Sequence, residues 1–192
     1  MFRRNVRRVD RLGPAPLRRN PTWRCVSAQS STGGTGWTGR GRPISDGSVD
    51  LVRRFWDALY ARDWARIRTF FGPESVYWDV PTGPTTAAKG PEAIEARLQL
   101  GLAGLSGYEH AQGLIVGGDG VVVTEHAETW HWPSGETVTL PFVSVQRVAG
   151  DEITVWRDYW DYQTLWNAAP SSWHDRLLTA DLWWLHDATG TE

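Results

Sequence analysis

Residues 151–161 read DEITVWRDYWD, and the reading of this stretch decides the fold. Ile153, Val155 and Tyr159, with tryptophans between and beside them, give it the composition of a strand, opened by an Ala149-Gly150-Asp151 turn. Alternate side chains of a strand point to opposite faces. The spacing therefore predicts Thr154, Trp156, Asp158 and Trp160 on one face and Ile153, Val155, Arg157 and Tyr159 on the other. Asp158 then stands between two indoles. A carboxylate walled by indoles loses hydration, its pKa rises, and it becomes a candidate general base near neutral pH. A salt bridge from Asp158 to a neighbouring strand is the plainer reading of the same residues.

Working outward from this strand, the preceding residues form a meander. Strand 107–116 leads through Gly117-Gly118-Asp119-Gly120 into a long strand, 121–132. Pro133-Ser134-Gly135 then turns into strand 136–148. In the long strand His126, Glu128 and Trp130 alternate onto one face, and in the next Leu140, Phe142 and Ser144 do so, an expected apolar wall. Further upstream, Val52, Phe55, Trp56, Leu59 and Tyr60 fall at helical spacing and predict an amphipathic helix over 48–61. Asp63 can cap a second, shorter helix carrying Trp64, Ile67, Phe70 and Phe71. Strand 75–80 places Tyr77 and Asp79 on one face, the stretch 81–90 reads as a loop, and Pro91 opens a third helix. After the central strand a short helix spans about 162–167. Trp173, Leu177, Leu178, Leu182 and Leu185 predict a helical tail over 171–188, placed over a cavity mouth or against a second subunit. Helix, helix, strand, helix and meander is an α+β order, with helices on one face of a curved sheet.

The chain of 192 residues suits a single domain of ordinary size over 46–170, with the tail 171–192 behind it. Thirteen tryptophans among 41% hydrophobic residues point to an aromatic-walled cavity or interface. Residues 1–45 carry ten arginines against one acid, Asp10, and show no period; they are expected to be disordered. They read as a basic arm, a transit-like leader, or sequence upstream of the true start. The acidic remainder argues against nucleic acid as a partner of the folded part. A single cysteine, Cys25, excludes an internal disulfide and a cysteine-based metal site. No apolar run approaches the roughly 18–20 residues of a membrane span, so a soluble, cytoplasmic protein without a membrane partner is expected.

His126 and His131 lie five residues apart and face opposite sides of a strand, which rules out a simple two-histidine clamp; no metal is expected. No serine stands in a Gly-x-Ser-x-Gly elbow, and the Gly-rich run at 117–120 precedes a strand and lacks the lysine of a phosphate loop. The remaining chemistry is proton transfer by His126, Glu128 and Asp158, without a cofactor.

The stretch VVTEHAETWHWPSGETVTLPFVSVQRVAGDEITVWRDYWD resembles the C-terminal half of the limonene-1,2-epoxide hydrolases, within the nuclear-transport-factor-2-like, SnoaL-like superfamily. The match covers roughly 48–168, and Trp-Arg-Asp-Tyr-Trp-Asp is its most specific motif. The resemblance implies a cone-shaped α+β fold around a deep apolar pocket, in most members a dimer. It further implies Asp158 as the base that activates water, Glu128 as the acid that protonates an epoxide oxygen, and Tyr77 and Asp79 as holders of the water. Three positions depart from the family: His126 stands where the family has a bridging arginine, Glu128 where it has aspartate, and Asp79 where it has asparagine.

Three functions follow as expectations. The first is a cofactor-independent epoxide hydrolase acting on a bulky apolar molecule. Here Trp130, Leu140, Phe142, Trp156 and Trp160 line the pocket, and His126, as imidazolium, separates the two carboxylates. The second is a SnoaL-like cyclase or ketosteroid-isomerase-like enzyme that removes a proton next to a carbonyl. The third is a small-ligand-binding protein on the same scaffold.

Overall fold

A computed structural model describes residues 47–191. The basic stretch 1–45, its expected disorder and Cys25 lie outside the described residues. The helical stripe read from the sequence is helix α1 (Gly47–Tyr60), which buries Leu51, Val52, Phe55, Trp56 and Leu59. Helix α2 (Trp64–Arg68) is capped by Asp63, whose side chain accepts from the Arg66 N–H. Phe70 and Phe71 follow it, both buried. Strand β1 (Val76–Asp79) alternates as expected: Tyr77 joins the main core, whereas Val76 and Trp78 join a second cluster with Val155.

The expected loop 81–90 instead contains a single 3-10 turn, Pro84–Thr86, and a short strand, β2 (Ala87–Lys89). Alanine has a weak strand preference, which is why the sequence hides β2. Its backbone pairs with β1, and Ala87 and Ala88 are fully buried. Helix α3 (Pro91–Leu102) starts on Pro91 and buries Ile94, Leu98 and Leu102. The meander is β3 (Gly107–Gly118), β4 (Val121–His131), β5 (Thr137–Ala149) and β6 (Glu152–Tyr159). Helices α4 (Tyr162–Ala168) and α5 (Ser171–Thr179) follow, then strand β7 (Leu185–His186).

The seven strands form one sheet in the order β3-β4-β5-β6-β1-β2-β7. All pairs are antiparallel except β1 with β6, which sets Tyr77 beside Trp156 and Asp79 beside Asp158. That parallel pair brings residues 79 positions apart onto one wall. The helices cover one face of the sheet, and a single large core joins them to it.

Two expectations are corrected. Ile153 is not on the face of Val155: it is fully buried in the main core with Trp156. The pairing steps from Arg147–Val155 to Val148–Ile153, so Thr154 is an extra residue, a bulge whose hydroxyl bonds to the Arg147 carbonyl. The tail is helical only to Thr179. Leu182 and Leu185 owe their helical spacing to chance, because edge pairing of β7 with β2 and burial of Trp184 take over there. Among the described residues, no helix is long and apolar enough to cross a membrane.

Candidate active site

The inner face of the sheet, α3, α4 and the tail enclose a cavity of about 330 Å³. This is the lower end of the range for small-molecule sites. Asp158, Glu128, Tyr77 and Asp79 all line it, with Trp130, Phe142, Trp156 and Trp160 from the predicted apolar wall. The tail closes one side through Trp173, Leu177 and Trp184. Leu140 does not line the cavity; it is fully buried, paired with Glu128, and supports the wall from within the core. His126 likewise lies behind the wall rather than in it, with 3% exposure.

Asp158 is held at one oxygen. Its Oδ1 accepts from Ser144 Oγ at 2.5 Å and from the Trp156 indole N–H at 2.5 Å. Its Oδ2 lies 3.5 Å from the Tyr77 hydroxyl, whose single proton has a nearer acceptor in Asp79 Oδ1 at 3.0 Å. Oδ2 is therefore the oxygen left to take a proton. Burial pushes the Asp158 carboxyl well above the usual range, the negative charges of Asp79 and Glu128 push it further, and the Ser144 and Trp156 donors act against them.

Glu128 receives the Trp130 indole N–H at 3.0 Å and a hydrogen bond from the Tyr108 hydroxyl. Burial raises its carboxyl to about 7 despite both donors. Near neutral pH it holds a proton in a large share of molecules, as a general acid must. The same burial, with Asp79 next, pushes the Tyr77 phenol up, so this hydroxyl stays protonated.

His126 is not the imidazolium the sequence reading expects. Burial and neighbouring His110 lower it to about 3, so the ring is neutral. It lies 3.8 Å from Glu128 and reaches Asp158 only through Ser144. The cation of the site is Arg97 on α3, which sequence reasoning missed. Its Nη2 meets Asp79 Oδ2 at 2.8 Å, with the side chains 9% and 16% exposed. Its guanidinium also bonds the Thr86 carbonyl and lies 5.2 Å from the ring centres of Tyr77 and Trp184. Asp79 additionally accepts from the Trp160 indole at 2.8 Å. Arg157 faces the other side, over Trp78. Among the described residues no group of histidine, cysteine and acidic side chains is arranged to hold a metal ion.

A small apolar cavity that brings together two buried carboxyls, both raised above their usual range, defines a class of acid–base sites. The family follows directly: a model described as the SnoaL-like domain matches residues 52–156, and the chain belongs to that family. Solved structures share the fold at low identity. A provisionally named SnoaL-like polyketide cyclase from Shewanella putrefaciens CN-32 is 20% identical, with a TM-score of 0.58 over 64% of this chain and 95% of its own. An LEH-like epoxide hydrolase from M. tuberculosis is 20% identical, with a TM-score of 0.54 over 69% and 96%. A protein of ketosteroid isomerase-like fold from Catenulispora acidiphila DSM 44928, in complex with trimethylamine, is 20% identical, with a TM-score of 0.56 over 65% and 96%. Proteins named for epoxide hydrolysis, for polyketide cyclisation and for an isomerase-like fold thus share one nuclear-transport-factor-2-like fold with this chain.

Proposed function

We propose that the protein hydrolyses an epoxide of a bulky apolar small molecule. The observation that carries this reading is the division of labour at Asp158: Oδ1 is held by two donors, and Oδ2 lies beside Tyr77 in the cavity that Glu128 also lines. A water between Tyr77 and Asp158 meets two acceptors, the Tyr77 oxygen and Oδ2, so both its hydrogens are engaged and a lone pair is free. That lone pair attacks one oxirane carbon while the water proton passes to Asp158 Oδ2. The carbon–oxygen bond of the ring breaks, and the leaving oxygen takes the proton of Glu128. Return of a proton from Asp158 to Glu128 through solvent restores the starting state. Each proton transfer is worth about 10²–10⁴ in rate. The indoles supply the apolar enclosure and exclude bulk water.

A second reading has one specific observation in its favour. A protonated Glu128, held by the Tyr108 hydroxyl that donates to it, is a donor of the kind that stabilises an enolate oxygen, with Asp158 as the base at the adjacent carbon. One experiment separates the two. The full-length protein and its Asp158→Asn variant are incubated with cyclic and terpenoid epoxides in ¹⁸O-water, and with bulky cyclic ketones in D₂O. A diol carrying one ¹⁸O atom, reduced at least about 10²-fold in the variant, supports the hydrolase. Asp158-dependent α-deuteration without any diol overturns it in favour of proton abstraction, and absence of both leaves a binding protein.

A further inference from the structure

Behind the cavity wall the Ser144 donor of Asp158 continues into a line of side chains that touch neither the cavity nor the reacting atoms. Ser144 is fully buried on β5, paired with Asp158 on β6 and with Thr124 on β4. Its hydroxyl has one proton, and the acceptor at 2.5 Å is Asp158 Oδ1. Ser144 Oγ therefore receives, rather than donates, the hydrogen bond to His126 Nε2 at 2.9 Å. A neutral imidazole that donates from Nε2 accepts at Nδ1, and the partner there is the Tyr60 hydroxyl of α1 at 3.1 Å. Every proton in this chain thus points the same way, from Tyr60 to His126 to Ser144 to Asp158.

We propose that Ser144 and His126, closed at the far end by Tyr60, are positioning residues of this site: a one-directional hydrogen-bond relay that fixes Asp158 Oδ1 and favours the proton-accepting form of Asp158 over the protonated one. The inference rests on Asp158 being the base of the proposed reaction. The order Asp–Ser–His differs from a nucleophilic triad, since the serine proton is directed at a carboxylate and the hydroxyl lies outside the cavity. Asp158 needs such support. Facing it are Asp79 and Tyr77 from β1 and Glu128 from β4, while Arg97 of α3, the cation that lines the same cavity, is bonded to Asp79. Around His126 stand Tyr60 of α1, His110 of β3 and Glu128 on its own strand; none supplies a positive charge or a short ion pair that would hold the ring as imidazolium. The stacking of Tyr60 on His110, with ring centres 3.5 Å apart, and of His126 on Phe142 fixes the ring planes along the line.

The test is nuclear magnetic resonance of the full-length protein, with the Asp158 carboxyl carbon assigned through Asp158→Asn. Ser144→Ala is expected to move the Asp158 titration midpoint up by about one to two pH units, the effect of losing a hydrogen bond to a charged group. Ser144→Thr, which keeps the hydroxyl, restores it, and His126→Phe moves it the same way by less. In the unmodified protein the His126 ¹⁵N shifts are expected to be those of a neutral ring protonated at Nε2, a reading that needs no variant to fold. An unmoved or lowered midpoint in folded Ser144→Ala, or a proton on His126 Nδ1 at neutral pH, overturns the relay. None of these readouts needs a substrate, so the relay can fail while the hydrolase stands, and the reverse.

Discussion

Replacing Arg97 with methionine tests whether the ion pair with Asp79 supports the site as well as the fold. The pair is nearly dry and monodentate at 2.8 Å. Removing one partner of such a pair leaves a buried charge and costs roughly 3–5 kcal/mol. For a domain of this size that is a fall in unfolding midpoint of about 6–20 °C. Methionine keeps much of the stem packing against Tyr77 and Trp184, so the loss reads mainly on charge. The unbalanced Asp79 carboxylate should also raise the Asp158 and Glu128 carboxyls further, moving the acidic limb of any rate profile upward. The assay is denaturant unfolding of Arg97→Met, Asp79→Asn and the double variant as a cycle. A positive coupling of about 2 kcal/mol or more is expected, with the double variant recovering most of the loss. Strict additivity, or an Arg97→Met protein within about 1 kcal/mol of the parent, would refute the reasoning.

Stability against pH should carry two opposing signatures. Glu128, raised from 4.5 to about 7, binds more protons in the folded state, so it lowers stability as pH rises through that window, by about 3 kcal/mol in all. His126, lowered from 6.5 to about 3, binds fewer, so its contribution is present above 6.5 and is lost as pH falls. Denaturation midpoints of Glu128→Gln should therefore climb more steeply between pH 4.5 and 6.5 than the parent's, and those of His126→Gln less steeply; equal slopes would contradict both assignments. The open face of the sheet exposes Val116, Val143 and Tyr159 beside Glu125 and Arg147, an apolar strip with both signs of charge that a second copy of the same face can match. We propose a homodimer through this face: light scattering should give twice the chain mass, and Val143→Glu should halve it.

The elements with strong periodicity were legible from the residues alone. The stripe of α1, the meander and the inward phase of Tyr77, His126, Glu128 and Asp158 all follow from spacing, because burial of one face holds a strand to one parity wherever no bulge interrupts it. Arg97 was not legible. It follows Ile94 by three on α3, and nothing local distinguishes a buried cation from an exposed one; its partner lies 18 residues away. Ser144 was visible on the right face but read as wall, since a hydroxyl's partner depends on which strand pairs beside it. Tyr60 was read only as part of a helical stripe. The strands β2 and β7 escaped because pairing, not composition, makes them. His126 was found by position and misread by charge: the sequence gives its neighbours but not the depth at which burial overrides them.

The bulge at Thr154 has a consequence for how this strand is compared with others. Counting back from Asp158 to the turn gives the wrong parity, although no side chain is misplaced: Asp158, Trp156 and Ile153 all face the core. With Thr154 removed, the same three would alternate strictly. An alignment to a relative with an unbulged strand should therefore open its one-residue gap at Thr154, between two hydrophobic residues, rather than in the adjacent Gly150-Asp151 turn. A gap placed in the turn would pair Ile153 with an outward-facing position and hide the core residue that anchors the strand carrying Asp158.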